Sequence, residues 1–148
     1  MLDGKAWKQE GLTMIHTVKL GKEFVLVSEN KVGSLSRVAA VLADRGIDIL
    51  AISAQAAGGV AFINLVTDDA LRTKDLFTKH EFKAQENKVL LVEVEDKPGV
   101  LMRITQKLVA KKIDILNLYA SAPSSYGPCL LVLSTDNDQK ALVTLRNK

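Results

Sequence analysis

The amino-acid sequence predicts an α+β fold made of two βαββαβ units in tandem, each an antiparallel sheet with its helices on one face. Three observations predict it. The chain repeats itself at a fixed shift, each copy alternates β-branched apolar runs with helical periodicities, and Gly or Pro/Ser turns fall where strands would join. A shift of 66 residues lays Glu29-Asn30-Lys31-Val32-Gly33-Ser34-Leu35-Ser36-Arg37 onto Glu95-Asp96-Lys97-Pro98-Gly99-Val100-Leu101-Met102-Arg103. It also lays Ile47-Asp48-Ile49-Leu50 onto Ile113-Asp114-Ile115-Leu116. Of the 28 positions from Glu29 to Ala56, 12 are identical. Unrelated sequence would give about 2, so the chain carries an internal duplication. Downstream the shift becomes 68, pairing Thr67-Asp68 with Thr135-Asp136 and placing a two-residue gain in the turn Pro123-Ser124-Ser125-Tyr126-Gly127-Pro128.

Each element follows from local chemistry. Phe24-Val25-Leu26-Val27 and Val89 to Val94 are apolar and β-branched, hence strands. Leu35, Val38, Ala39 and Leu42 recur at i, i+3, i+4 and i+7, one face of a helix, which Leu101, Ile104 and Leu108 repeat. Ser34 is the expected N-cap and Gly46 the expected C′ residue. Ile47 to Ala54 and Val60 to Thr67 flank Gly58-Gly59, a hairpin signal; the second copy offers Ile113 to Ala120 and Cys129 to Ser134. Asp69 to Lys79, opened by an acidic cap, and Asn137 to Arg146 read as second helices, and Phe82-Lys83-Ala84 closes the first copy. The order is the split βαβ, or ferredoxin-like, unit. The second copy has no closing strand before Lys148, while Thr13-Met14-Ile15-His16-Thr17-Val18 is unclaimed and falls, by the same shift, opposite Lys79 to Ala84. An unpaired sheet edge is usually covered. Residues 13–19 are therefore expected to close the second unit, in cis or by exchange between chains. The expected organisation is a mobile leader at 1–12, a first unit with its preceding strand at 13–86, and a second unit at 87–148.

Composition bounds the rest. With 148 residues, 47% hydrophobic and 25% charged, the chain can bury a core and departs from disordered and collagenous compositions. No run approaches the roughly 18 apolar residues of a membrane span, and Met1-Leu2-Asp3-Gly4-Lys5 lacks a secretory apolar run. One cysteine fits a reducing compartment, so a cytoplasmic location is expected. A net charge of +3 with interspersed signs speaks against nucleic acid as partner.

The run Asp96-Lys97-Pro98-Gly99-Val100-Leu101 between a strand and a helix resembles the signature loop of the ACT domain, and Ile113-Asp114-Ile115 resembles that family's second strand. The first copy departs from it, with Asn30 for the aspartate and Val32 for the proline. The resemblance covers residues 22–148 and implies a stand-alone regulatory protein, comparable to the regulatory subunit of acetolactate synthase or the tandem modules of aspartokinase. It implies an amino-acid ligand, a homodimer through side-by-side sheets, and a metabolic enzyme as possible partner.

The loop chemistry gives the same expectation independently. Gly33 and Gly99 sit where a strand turns into a helix, so the backbone can approach a ligand. The first helical N–H groups lack internal partners and, with the helix dipole, favour a carboxylate. Asp96 or Asn30 would accept from an α-ammonium group. The expected ligand-binding residues are Asp96, Pro98, Gly99, Val100 and Leu101, then Asn30, Val32, Gly33, Ser34 and Leu35; the resemblance to the ACT family, in which such loops face a neighbouring unit's second strand, adds Asn117, Ile115 and Ile49. The competing reading is that glycine serves only the turn and Asp or Asn caps the helix. No enzyme, cofactor or metal is expected: His16 and His80 read as surface residues, Cys129 as a small core residue, and Asp48 and Asp114 as turn acceptors. A purely structural assembly module is the remaining alternative.

Overall fold

The computed structural model describes residues 14–121 and 127–147; the leader and most of the Pro/Ser turn lie outside the described residues. Among the described residues the chain forms an α+β fold of six strands and four helices. The strands are β1 (Ile15–Glu29), β2 (Ile49–Ala57), β3 (Val60–Thr67), β4 (Ala84–Val94), β5 (Ile115–Ser121) and β6 (Cys129–Thr135). The helices are α1 (Ser34–Ala43), α2 (Ala70–Lys79), α3 (Val100–Ala110) and α4 (Asp138–Arg146).

Two compact units partition these elements. Lys22–Lys88 form one; the residues up to Gly21 and from Val89 onward form the other. In the 22–88 unit the hydrogen-bonded order is β2-β3-β1-β4, with β1 and β2 antiparallel to β3. Its core gathers Phe24, Leu26, Ile63 and Leu65 from strands with Val38, Leu42, Leu76 and Phe77 from helices. Phe77 packs edge-on against Phe24 at 5.6 Å and Phe82 at 5.5 Å, the T-shaped arrangement that aromatic quadrupoles prefer. In the other unit the order is β1-β4-β6-β5. Met14 and Val18 are buried there with Leu90, Val92, Ile104, Leu108, Leu133 and Leu145.

Strand lengths differ from the sequence reading. Thr13–Val18 and Phe24–Val27 read as separate segments, yet β1 runs unbroken for 15 residues. Gly21 sits mid-strand because a Cβ there would meet the Leu91 side chain, 2.8 Å from Cγ, so the glycine marks a close approach and not a break. Likewise β4 starts only at Ala84, leaving Phe82 and Lys83 outside it, and runs through a polar stretch into the 89–94 run, so the expected closing segment and that run are one strand. Glu86 in that stretch is held by Lys22 at 2.6 Å and by Lys74 at 3.8 Å.

Turns and caps follow from backbone demands. Gly58 and Gly59 have φ of 56° and 78°, the left-handed pair of a two-residue hairpin. The α1 end closes with Gly46 N–H donating to the Ala43 carbonyl and Ile47 N–H to that of Leu42, with Gly46 at φ 68°. The α3 end makes the same pair of bonds from Lys112 and Ile113, but with a lysine at φ 57°. Ser34 does not cap α1. Gly33, in the left-handed region, occupies the cap position, and the Ser34 hydroxyl, inside the helix, donates to the Lys31 carbonyl at 2.9 Å. The acceptors at the β2 and β5 starts also differ from expectation. Asp68 takes the Asp48 N–H and Asp136 takes the Asp114 N–H, each at 3.0 Å, so the aspartates after β3 and β6 tie these turns.

Candidate functional site

The strand-to-helix loops share one geometry. After β1, Glu29 pairs with Lys31 at 3.3 Å, Ser34 N–H donates to the Lys31 carbonyl, and Gly33 takes φ 91° and ψ −1°. After β4, Glu95 pairs with Lys97 at 3.0 Å, Val100 N–H donates to the Lys97 carbonyl, and Gly99 takes φ 92° and ψ −9°. Only glycine adopts this conformation without penalty, which is why the residue recurs. The consequence concerns the helices. No side chain caps α1 or α3. The second helices are capped: Asp69 accepts from Arg72 N–H at 3.1 Å, and Asn137 from Lys140 N–H at 3.0 Å. The dipole-bearing N-termini of α1 and α3 therefore lack a side-chain acceptor at the glycine loops, whereas those of α2 and α4 carry one.

A recess of about 340 Å³ lies against the first loop, lined by Asn30, Gly33, Ser34 and Leu35 and by Ala54 and Ala56 of β2. Its volume falls in the range of small-molecule sites, about 300–1,000 Å³. The alanines matter because their short side chains leave the edge-strand wall open beside the α1 N-terminus. Ala54 and Ala56 are among the identities that the repeat shift exposes, which was the available sequence signal. A second recess of about 410 Å³ lies on the other side of α1, where Arg37 stacks over the Phe82 ring at 4.8 Å.

The other residues singled out from sequence divide. Val32 stands fully in solvent and lines neither recess. Ile49 packs against the core of its own unit, and Ile115 does so in the other unit. Val100 is 5% exposed and belongs to the core. Asp96, Pro98 and Leu101 are exposed, Gly99 is half-buried, and Asn117 is exposed on β5. Cys129 is half-buried with its thiol donating to the Ser121 carbonyl at 3.2 Å. Burial, and secondarily the Asp96 carboxylate, push the Cys129 thiol pKa up, which places Asp96 electrostatically beside the start of β6. His16 is 3.8 Å from Glu95, and His80 is exposed. Among the described residues no three His, Cys, Asp or Glu side chains gather as a metal set, and no helix is long and apolar enough to cross a membrane.

This loop-and-recess geometry lies inside a recognisable segment. Residues 24–81 match the ACT domain family. No curated protein matches the chain in sequence. Among solved structures, protein BT0572 from Bacteroides thetaiotaomicron is similar in fold, with a TM-score of 0.79 and 21% identity over 87% of this chain and 88% of that one. The regulatory subunit of aspartate kinase from Thermus thermophilus, in its ligand-free form, has a TM-score of 0.58 and 15% identity over 90% and 97%. That from Thermus flavus has 0.55 and 16% over 90% and 97%. The ACT match supports an amino-acid-sensing regulatory role for the segment that holds the first loop.

Proposed function

We propose that the chain is a regulatory protein that binds a free amino acid at its glycine loops and passes occupancy on through association, with itself or with an enzyme. Both compact units are read as ACT-type modules, the second closed by the strand that precedes the first. The uncapped N-terminus of α1 facing the 340 Å³ recess carries this reading. The ligand carboxylate docks on the first-turn N–H groups, its ammonium is received by the Asn30 side chain, and its own side chain lies toward Leu35, Ala54 and Ala56. The apolar wall favours an aliphatic amino acid. Homodimerisation through side-by-side sheets draws support from the exposed apolar residues Ile52 on β2 and Leu116 on β5, each strand ending the order of its own unit. A ligand at such a seam would stabilise the state in which both walls exist.

Thermal-shift screening of the full chain against the twenty amino acids, followed by mass determination with and without the hit, tests the proposal. One amino acid is expected to raise the melting temperature in proportion to its saturation. Gly33→Val is expected to remove that response at the first loop, and Gly99→Val at the second, with the far-ultraviolet circular dichroism unchanged. Indifference to all twenty, or a response that survives both substitutions together, overturns it.

A further inference from the structure

The 22–88 unit holds, on the other side of α1 from the amino-acid recess, a second recess of about 410 Å³. Its floor belongs to the unit's own core, where Leu26, Val38 and Ile63 line it. Arg37, one turn into α1, lays its guanidinium 4.8 Å over the Phe82 ring. That ring is itself fixed. It stands edge-on to buried Phe77 at 5.5 Å, and Phe77 stands edge-on to buried Phe24 at 5.6 Å. A column of three rings therefore runs from the core to one cation. The charges single out the same group. Among the described residues lining the recess, Glu29 pairs with Lys31 at 3.3 Å, and Glu81 and Lys83, two residues apart, offset each other in sign. Arg37 is the remaining charge, and a ring holds it in place without cancelling it. A guanidinium stacked on a ring keeps the edge of its planar fork for a carboxylate.

The repeat shows that the fold does not require this column. The shift of 66 places Leu90 opposite Phe24 and His16 opposite Phe82, and the shift of 68 places Leu145 opposite Phe77. Leu90 and Leu145 are core residues of their own unit, so leucines fill the two inner places as well. The rings beneath Arg37 are an addition of one copy. We propose that this recess binds a small monocarboxylate with an apolar body, its carboxylate on the Arg37 fork and its body on Leu26, Val38 and Ile63. One surplus cation matches one negative charge, whereas a dianion would hold its second charge against Glu29 and Glu81. The inference stands apart from the amino-acid reading, because Ala54 and Ala56, which wall that recess, do not line this one.

The test is calorimetric titration of the full chain with 3-methylbutanoate at fixed ionic strength, set against acetate, which lacks the apolar body, and 3-methylbutan-1-ol, which lacks the charge. Saturable binding of 3-methylbutanoate is expected, with acetate and the alcohol each weaker by about tenfold or more. Arg37→Met should weaken 3-methylbutanoate by about tenfold or more, the loss of charge-assisted hydrogen bonding. Arg37→Lys, which keeps the charge but not the stacked fork, should also weaken it, and carries the comparison should Arg37→Met fail to fold. Ala54→Leu, which narrows the amino-acid recess, should leave this binding unchanged. The absence of saturable binding, or acetate binding as tightly as 3-methylbutanoate, overturns the proposal. So does binding that survives both Arg37 substitutions or falls with Ala54→Leu instead, which leaves Arg37 serving only to cover Phe82.

Discussion

Replacing Lys112 by glycine should stabilise the protein. Both Gly46 and Lys112 close the first helix of their copy through the same two backbone bonds, and both hold a left-handed backbone, at φ 68° and 57°. For a residue with a Cβ this conformation costs about 1–2 kcal/mol. A glycine avoids that strain but loses about 0.5–1 kcal/mol more backbone entropy on folding. The difference leaves Lys112→Gly about 0–1.5 kcal/mol more stable, centred near 0.75 kcal/mol. For a chain of this length the central value corresponds to a melting temperature raised by about 1–4 °C. Gly46→Lys should do the reverse: a Cβ there meets nothing within 4 Å, so only the backbone term operates. The double swap should then return close to the parent value, since each helix end belongs to its own compact unit and they share no partner in the bonds that close them. Calorimetric or fluorescence melts of the three variants read all of this. If Lys112→Gly melts at or below the parent while Gly46→Lys is harmless, the left-handed helix ends carry no strain and the reasoning fails.

Other outcomes follow from single contacts. Gly21→Val should destabilise by about 1–3 kcal/mol, because the new side chain collides with buried Leu91; denaturant midpoints measure it, and an unchanged midpoint refutes the close approach. The hydrogen bond from Lys22 holds the Glu86 carboxyl below its ordinary value, a folded pKa lower than the unfolded one. The stability this lends is full above the ordinary value of 4.5 and fades as pH falls through the lowered one, so Glu86→Gln should flatten the acid limb of stability against pH. Because burial and then Asp96 raise the Cys129 pKa, Asp96→Asn should speed iodoacetamide alkylation at neutral pH by enlarging the thiolate fraction. An unchanged rate would separate the second loop from β6.

The elements most visible in the sequence were those whose chemistry is local. The periodicity of Leu35, Val38 and Leu42, the Gly58-Gly59 turn, the acidic cap at Asp69 and the helix opening at Asn137 need only near neighbours to act, and each stands where its residues indicate. What stayed hidden depends on partners far along the chain. Gly21 and the polar stretch 85–88 read as interruptions because the Leu91 side chain and Lys22 that justify them lie elsewhere in sequence. The aspartates after β3 and β6 take amides about twenty residues upstream, although their identical Thr-Asp context was in view. Of the candidate site, the glycine positions were legible; that α1 starts without a side-chain cap was not, because Ser34 had the residue type of an N-cap yet lies inside the helix. That Val100 is core and Val32 is solvent was not, since loop residues of equal hydrophobicity are sorted only by what packs beside them.

Strand β1 has a consequence for synthesis. The 22–88 stretch is contiguous and can complete its fold soon after it leaves the ribosome. Residues 14–21 emerge before it yet find their partners only in residues 89 onward, so Met14 and Val18 must wait, sticky and unsheltered, for more than sixty residues to be made. A nascent chain halted near residue 88 would thus display a ready-made apolar arm, open to a holding chaperone or to a sister chain on a neighbouring ribosome.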